Sequence, residues 1–296
     1  MKETMQSIYT IIDDYNEIHT SINEIFYLNA LEEDTLTSVD DDSNKMAFSE
    51  KLRIQVEKLF KTIEGIIEKC ALKITNFIGN LLQTDTGFKD HCRKAMVENK
   101  PLEAVKLIAY QYNDSVLDSE MNNMTNIILG KINSIKTSYQ EESDVKTVND
   151  MDRHESELIT KIFEELKCPK EVNNINSYFM YIKDKYRTAK KEQLFTAKES
   201  KTYYAITQEY NKINDVVKSK QQILKNQKSV MQANLNNIIR NKMTQNHIKQ
   251  RALNQYKNVT HLYNLYTHFL EIYAQLRIEK ILSYRAVLKK IYHFDS

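Results

Sequence analysis

Between Val56 and Leu82 the apolar residues fall at Val56, Phe60, Ile63, Ile67, Cys70, Ile74, Phe77 and Leu81. The steps alternate between four and three residues, the spacing of a helical seam that faces another helix. Leu59, Ile66, Ile78 and Leu82 widen the stripe. A stripe that wide suits a helix in a bundle better than one strand of an isolated coiled coil. Ser49 is a fitting N-cap for this helix, and Gln83–Gly87 ends it. Three uses of the stripe stay open: a bundle core, a membrane-surface element, or a face that docks a partner. The polar side mixes Glu57, Glu64 and Glu68 with Lys58, Lys61, Lys69 and Lys73. Surface-seeking helices are more one-sidedly basic, so a membrane role is not favoured.

The same pattern extends along the chain. A first helix is expected over Lys2–Asn29, followed by an acidic linker, Ala30–Lys45. A short helix is expected over Phe88–Val97, and a long one opened by Pro101 and running to Tyr139. Gln140–Asp144 breaks the chain before a helix over Val148–Leu166, and Cys168–Asn174 breaks it again. From Ile175 onward the pattern predicts continuous helix, with interruptions near Lys198–Thr202 and Asn241–Asn246. Tyr210, Val217, Leu224, Met231 and Ile238 recur every seven residues, but their partners decay to Lys220, Gln227 and Asn234. Such a seam docks on other helices rather than pairing alone. The last segment is richer, with Leu262, Tyr266, Phe269, Tyr273, Leu276, Tyr284 and Leu288. Four regions follow: an acidic helix at 1–30, a linker at 31–47, a bundle region at 48–168 and a basic long-helix region at 169–296.

Composition supports an all-α fold, a long-helix bundle with coiled-coil-like segments. The chain has only 4 Gly and 2 Pro in 296 residues. Sheet proteins spend these residues on tight turns, and long helices do not. Cys70, Cys92 and Cys168 are scattered and odd in number, as expected of reduced thiols in a cytoplasmic protein. No apolar leader and no run long enough to cross a membrane is visible.

Charge is unevenly spread. Residues 1–50 hold 12 acids and 2 Lys, whereas residues 171–296 hold 22 basic and 9 acidic residues. Between Asp215 and Glu271 there is no acid. That window carries Lys218, Lys220, Lys225, Lys228, Arg240, Lys242, Lys249, Arg251 and Lys257. These are the candidate anion-binding residues. A solvated helix face, DNA, an anionic membrane or an acidic protein surface could each answer them. Arg is sparse and no nucleic-acid motif is present.

Catalytic constellations are absent from the pattern. Isolated glycines give no phosphate-cradling loop. The seven histidines are dispersed; His261 and His268 share a helix face but lack a third ligand. Asp40–Asp42 reads as a solvated acidic loop rather than a cation site. Neither an enzyme nor a cofactor is expected.

A short N-terminal helix, the acidic stretch Glu32–Asn44 and the amphipathic run Met46–Leu81 together set a recognisable layout. It resembles the front end of internal head or prohead-core proteins of large tailed bacteriophages. The resemblance covers about the first 85 residues; the aromatic run with Trp usual in that family has no counterpart. It implies a structural component of the virion, or a protein of the host cytoplasm during assembly. Its partners would be copies of itself or other head proteins, with DNA a further contact for the basic half. Prohead proteases of these phages cut after an apolar-x-Glu triplet. The triplet Leu31-Glu32-Glu33, in the acidic linker, fits, as does Ile22-Asn23-Glu24; cutting at the first implies removal of residues 1–33.

Overall fold

The computed structural model describes residues 42–98, 101–138 and 148–294. The expected first helix, most of the linker, and the candidate cleavage residues Leu31 and Glu33 lie outside them. The elements in chain order are α1 (Asp42–Gln83), α2 (Asp85–Glu98), β1 (Ala104–Ala109), α3 (Asp114–Ser138), α4 (Val148–Glu165) and α5 (Ile175–Tyr186). They continue with β2 (Lys191–Thr196), a single 3-10 turn (Ala197–Glu199), α6 (Ser200–Thr207), α7 (Tyr210–Arg240) and α8 (Asn246–Tyr292). The fold is an all-α bundle of long helices with one small two-stranded sheet.

α8 is the axis. At 47 residues it is about 70 Å long at the usual rise of 1.5 Å per residue. It packs against α1, α2, α3, α5, α6, α7 and β1. Every residue from 259 to 276 is buried. A helix buried all round must satisfy its polar side chains from within, and α8 does so partly along its own turns. The Thr267 hydroxyl donates to the Tyr263 carbonyl at 2.9 Å, and His268 Nδ1 lies 2.9 Å from the Asn264 carbonyl.

α1 runs parallel to α8. Cys70 Sγ donates to the Thr267 carbonyl, Lys73 pairs with Glu271, and Arg285 reaches Thr84 just past the end of α1. α7 is antiparallel to both, as Tyr263–Leu224 and Lys228–Glu64 contacts show. α3 is also antiparallel to α8, tied by Thr125 to Tyr266 at 2.6 Å and by Tyr273 to Asp118 at 3.1 Å. The main core forms between these helices and α4 and α5, with Ile63, Ile128, Phe179, Leu224 and Phe269 sealed from solvent. A second, smaller core gathers Phe88 and Cys92 of α2, Ala109, Phe195, Tyr203 of α6, and Leu288 and Ile291 of α8.

Several boundaries differ from those the sequence predicts. α1 begins at Asp42, before Ser49, so the last residues assigned to the linker are helical. The break at Gln83–Gly87 shrinks to Thr84, and α2 starts at Asp85. Pro101 does not open a helix. Residues 104–109 form β1, with Ala104, Lys106 and Ile108 outward and Ala109 buried. β1 pairs antiparallel with β2, from Ala104 opposite Thr196 to Ala109 opposite Lys191. Nor is the chain continuously helical after Ile175: α5 stops at Tyr186 and β2 follows. Ala, Lys, Leu and Glu are good helix formers, so local propensity favours helix in both stretches. Cross-strand pairing with a segment more than eighty residues away overrides it. The expected stop at Asn241–Asn246 is present, with α8 beginning at Asn246. α5 starts where a capping box forms: Asn174 accepts from the Ser177 N–H at 2.9 Å, and Ser177 Oγ accepts from the Asn174 N–H at 3.1 Å.

Candidate functional site: a charged collar and the groove beyond it

Near residue 277 the character of α8 changes. Arg277, Glu279, Lys280 and Arg285 interrupt its apolar surface, and each meets an opposite charge. Arg277 spans Asp114 at 2.6 Å and Asp118 at 2.5 Å, at the start of α3. Lys280 adds a second contact to Asp114 at 2.5 Å. Arg285 pairs with Asp85 at 2.5 Å and lies over the Phe88 ring, 4.9 Å from its centre. Lys89 closes the group on Asp85 at 2.5 Å. Glu279 pairs with Arg187, which follows α5. These contacts form a collar around α8 between the two cores. The contacts of Arg277, Glu279, Lys280 and Arg285 each join α8 to an element that bounds one core or the other, so the collar fixes how the cores sit on their shared axis.

Burial and charge move several ionisations. Burial alone pushes Arg277 down, but Asp118, Tyr273 and Asp114 outweigh it and hold its guanidinium charged. Burial lowers Lys183 from the usual lysine range, and the nearby Arg187 adds to the shift. Burial of the thiols pushes Cys92 and Cys168 up to about 11. Cys70 rises further, through burial and the charge of Glu271. Thiols held protonated are poor nucleophiles and poor metal ligands. Among the described residues all three cysteines are free, and no group of His, Cys, Asp and Glu is placed to hold a metal ion.

Two depressions border the collar. One, of about 620 Å³, lies between α3, α7 and α8. Its charged walls carry both signs, four acids (Asp114, Asp118, Glu209, Asp215) and three bases (Lys212, Lys220, Arg277), and Arg277 is already engaged. The other, of about 380 Å³, lies between β1 and the outer side of α8. Tyr110, Tyr112, Leu282, Ala286, Lys190 and Lys290 line it. Arg187 sits 4.3 Å from the centre of the Tyr110 ring on one side and Lys190 5.2 Å away. Of the lining residues Ile108 is 73% exposed and Leu282 47%, and Leu194, opposite Lys106 on β2, is 60% exposed. These are large apolar side chains in water at one end of the molecule, and such clusters mark interaction surfaces.

The residues that the sequence singles out fall differently. Val56, Phe60, Ile63, Ile67, Cys70, Ile74 and Leu81 are buried, and Phe77 packs against the same core. The α1 stripe is turned toward α8 and α7. The basic window does not gather into one surface. Lys218, Lys225, Arg240 and Lys242 are exposed. Lys220 instead turns to Asn122 at 3.3 Å, Lys228 pairs with Glu64 at 3.0 Å, Lys249 is buried and Arg251 is half-buried. The side chain of Lys257 lies outside the described residues. Neither the collar nor the groove follows from the hydrophobic pattern of the sequence. Their one signal is the cluster of charges at Arg277–Arg285 inside an otherwise apolar helix; the β1 side carries none, because its strand is not legible locally.

No helix among the described residues is long and apolar enough to cross a membrane. Comparison with protein-family models, with curated proteins and with solved structures gave no match to this chain.

Proposed function

We propose that this chain is a non-catalytic structural protein that assembles with copies of itself or with other proteins of a tailed-phage head. One observation carries the reading: an acidic lead joins the body at the start of α1, and the segments at the far end of α1 are net basic. Residues 1–41 hold ten acids and one Lys, and they enter the fold at the start of α1. α1 spans 42 residues, about 63 Å at 1.5 Å per residue. Its far end meets the second core, where segments 85–98, 101–109, 190–201 and 286–294 together carry ten basic and six acidic residues. An elongated body with an acidic lead and a basic far pole favours ordered, end-to-end association over random clustering. The exposed apolar residues around the groove lie at the basic pole and supply area to bury. The layout of the acidic lead and α1, which resembles head-internal phage proteins, supports the virion as the setting.

Mass spectrometry of purified particles from the source tests this proposal. The expected result is recovery of this chain in the particles, with an N-terminal peptide beginning at Asp34 if the Leu31-Glu32-Glu33 triplet is cut. Absence of the chain from particles, alongside its abundance in the cells, overturns the virion setting.

A further inference from the structure

β1 has one edge unclaimed by β2. The Ala197 N–H donates to the Glu103 carbonyl, so the antiparallel alternation places residues 103, 105, 107 and 109 in hydrogen-bonded pairs. The N–H and C=O groups of Lys106 and Ile108 then point away from β2. Among the described residues, none of the backbone hydrogen bonds outside regular elements involves them. The edge borders the groove whose far wall is Leu282, Ala286 and Lys290 of α8. An open edge beside an apolar groove is the geometry that accepts an extended segment as an added strand.

We propose that the occupant is the segment Asp34–Asp41, Asp-Thr-Leu-Thr-Ser-Val-Asp-Asp, of a second copy of this chain. This rests on the assembly reading and names the contact that would drive it. Three features of the two partners select each other. The central residues Thr35–Val39 include two Thr, one Leu and one Val, types suited to a pleated strand, and β1 is six residues long. Leu36 matches the apolar groove, whose wall is low at Ala286. Asp34, Asp40 and Asp41 flank the strand-forming stretch; Lys190 and Lys290 line the groove, where the one acid, Glu279, is held by Arg187, and Lys106 stands on the outward face of β1 near Glu192 at 3.8 Å.

Distance decides that the segment comes from another molecule. Leu36 is six residues from Asp42, a reach of about 20 Å in fully extended chain. The groove lies beside Leu282–Lys290 of α8, close to Arg285, which touches Leu81 and Thr84 at the C-terminal end of α1. The segment is tethered at the other end of α1, about 63 Å away along the helix. It cannot fold back onto its own groove. Donation from one copy to the next is a head-to-tail contact, which makes rings when the rotation closes and filaments when it does not.

The test uses the full chain as an equal mixture of unlabelled and heavy-nitrogen-labelled protein. A zero-length carboxylate–amine coupling reagent is applied, and the linked peptides are read by mass spectrometry. The expected links join carboxylates within residues 34–41 to Lys106, Lys190 or Lys290, with one partner heavy and the other light. Ile108→Pro removes an outward N–H from an edge strand, where proline is tolerated, and should cut these links about tenfold, the equivalent of a lost hydrogen bond or two. Lys190→Glu with Lys290→Glu, both lining the groove, removes two of the target amines, so it is read at Lys106, whose links should fall as well. Links confined to one isotope, or links from residues 34–41 to lysines elsewhere, overturn the proposal. If the chain associates without the expected links, this contact fails and the assembly reading stands. If the chain neither associates nor links, both fail.

Discussion

Arg187 and Glu279 meet as an ion pair inside the protein, their side chains only 7% and 8% exposed. Arg187 lies just past α5 and also forms a bridge with Tyr112, beyond β1. Glu279 is on α8, and the Tyr112 hydroxyl donates to it at 3.4 Å. One pair therefore holds together α8, the end of α5 and the chain that leaves the sheet. Taking both charges out of water is costly, so each depends on the other.

Removing one partner should leave the other buried and uncompensated. Arg187→Ala is expected to lower the unfolding free energy by about 3–5 kcal/mol. Replacing both, Arg187→Met with Glu279→Leu, should recover most of that loss, because a well-packed apolar pair needs no desolvation. Urea unfolding of the three proteins checks this, and equal destabilisation of the single and double variants would contradict it.

The α1 stripe is a structural core in this account. Ile63 has no exposed surface, and Ile63→Ala should cost about 2–5 kcal/mol through lost burial and a residual cavity. Leu72, on the same helix, is 63% exposed, and Leu72→Ala should stay within about 0.5 kcal/mol of the parent. Comparable losses at the two positions would mean that the stripe does not face α7 and α8.

The second core should respond as a unit. Phe195 packs edge-on against Tyr203 and Tyr284, with ring centres 5.7 and 6.3 Å away. Phe195→Ala should speed amide hydrogen exchange in α2, β1, β2 and α6, leaving α3 and α5 near parental rates, since local opening follows contiguous packing. Uniform acceleration across all helices would show that the two cores unfold together.

The thiols give an alkaline signature. Cys92 and Cys168 are raised to about 11 by burial, above the ordinary thiol value of 9.0. Between those values the unfolded chain releases thiol protons that the folded chain keeps. The unfolded state then binds fewer protons, so stability falls as pH rises through that window. Melting temperature should decline from pH 9 to 11, and Cys92→Ala should flatten the slope. A variant with the parental slope would remove the thiol from the explanation.

The helices were legible in the sequence because burial repeats at their own period. The steps from Val56 to Leu81 give α1 its face, and Val217, Leu224 and Met231 give α7 its buried line. α8 shows the limit of that signal. Its polar residues His261, Asn264, His268, Glu271 and Gln275 follow the same alternating steps of three and four, and all are buried. Periodicity locates a face but does not say whether that face meets water. The sheet was illegible for a different reason. β1 and β2 are each six residues long, and their pairing is set by a partner far along the chain. The groove depends on that pairing, so the sequence could not place it. The basic window was legible as charge alone; the turning of Lys228 toward Glu64 and of Lys220 toward Asn122 depends on where α1 and α3 lie.

The central claim is that the chain associates through its acidic lead and the basic far end of the body. Sedimentation velocity of the full chain, over a range of concentrations, measures this directly at about 50 mM and about 500 mM salt, where the screening length differs several-fold. The account predicts species that grow with concentration in low salt and shrink in high salt. A single 34.9 kDa monomer under every condition would contradict it.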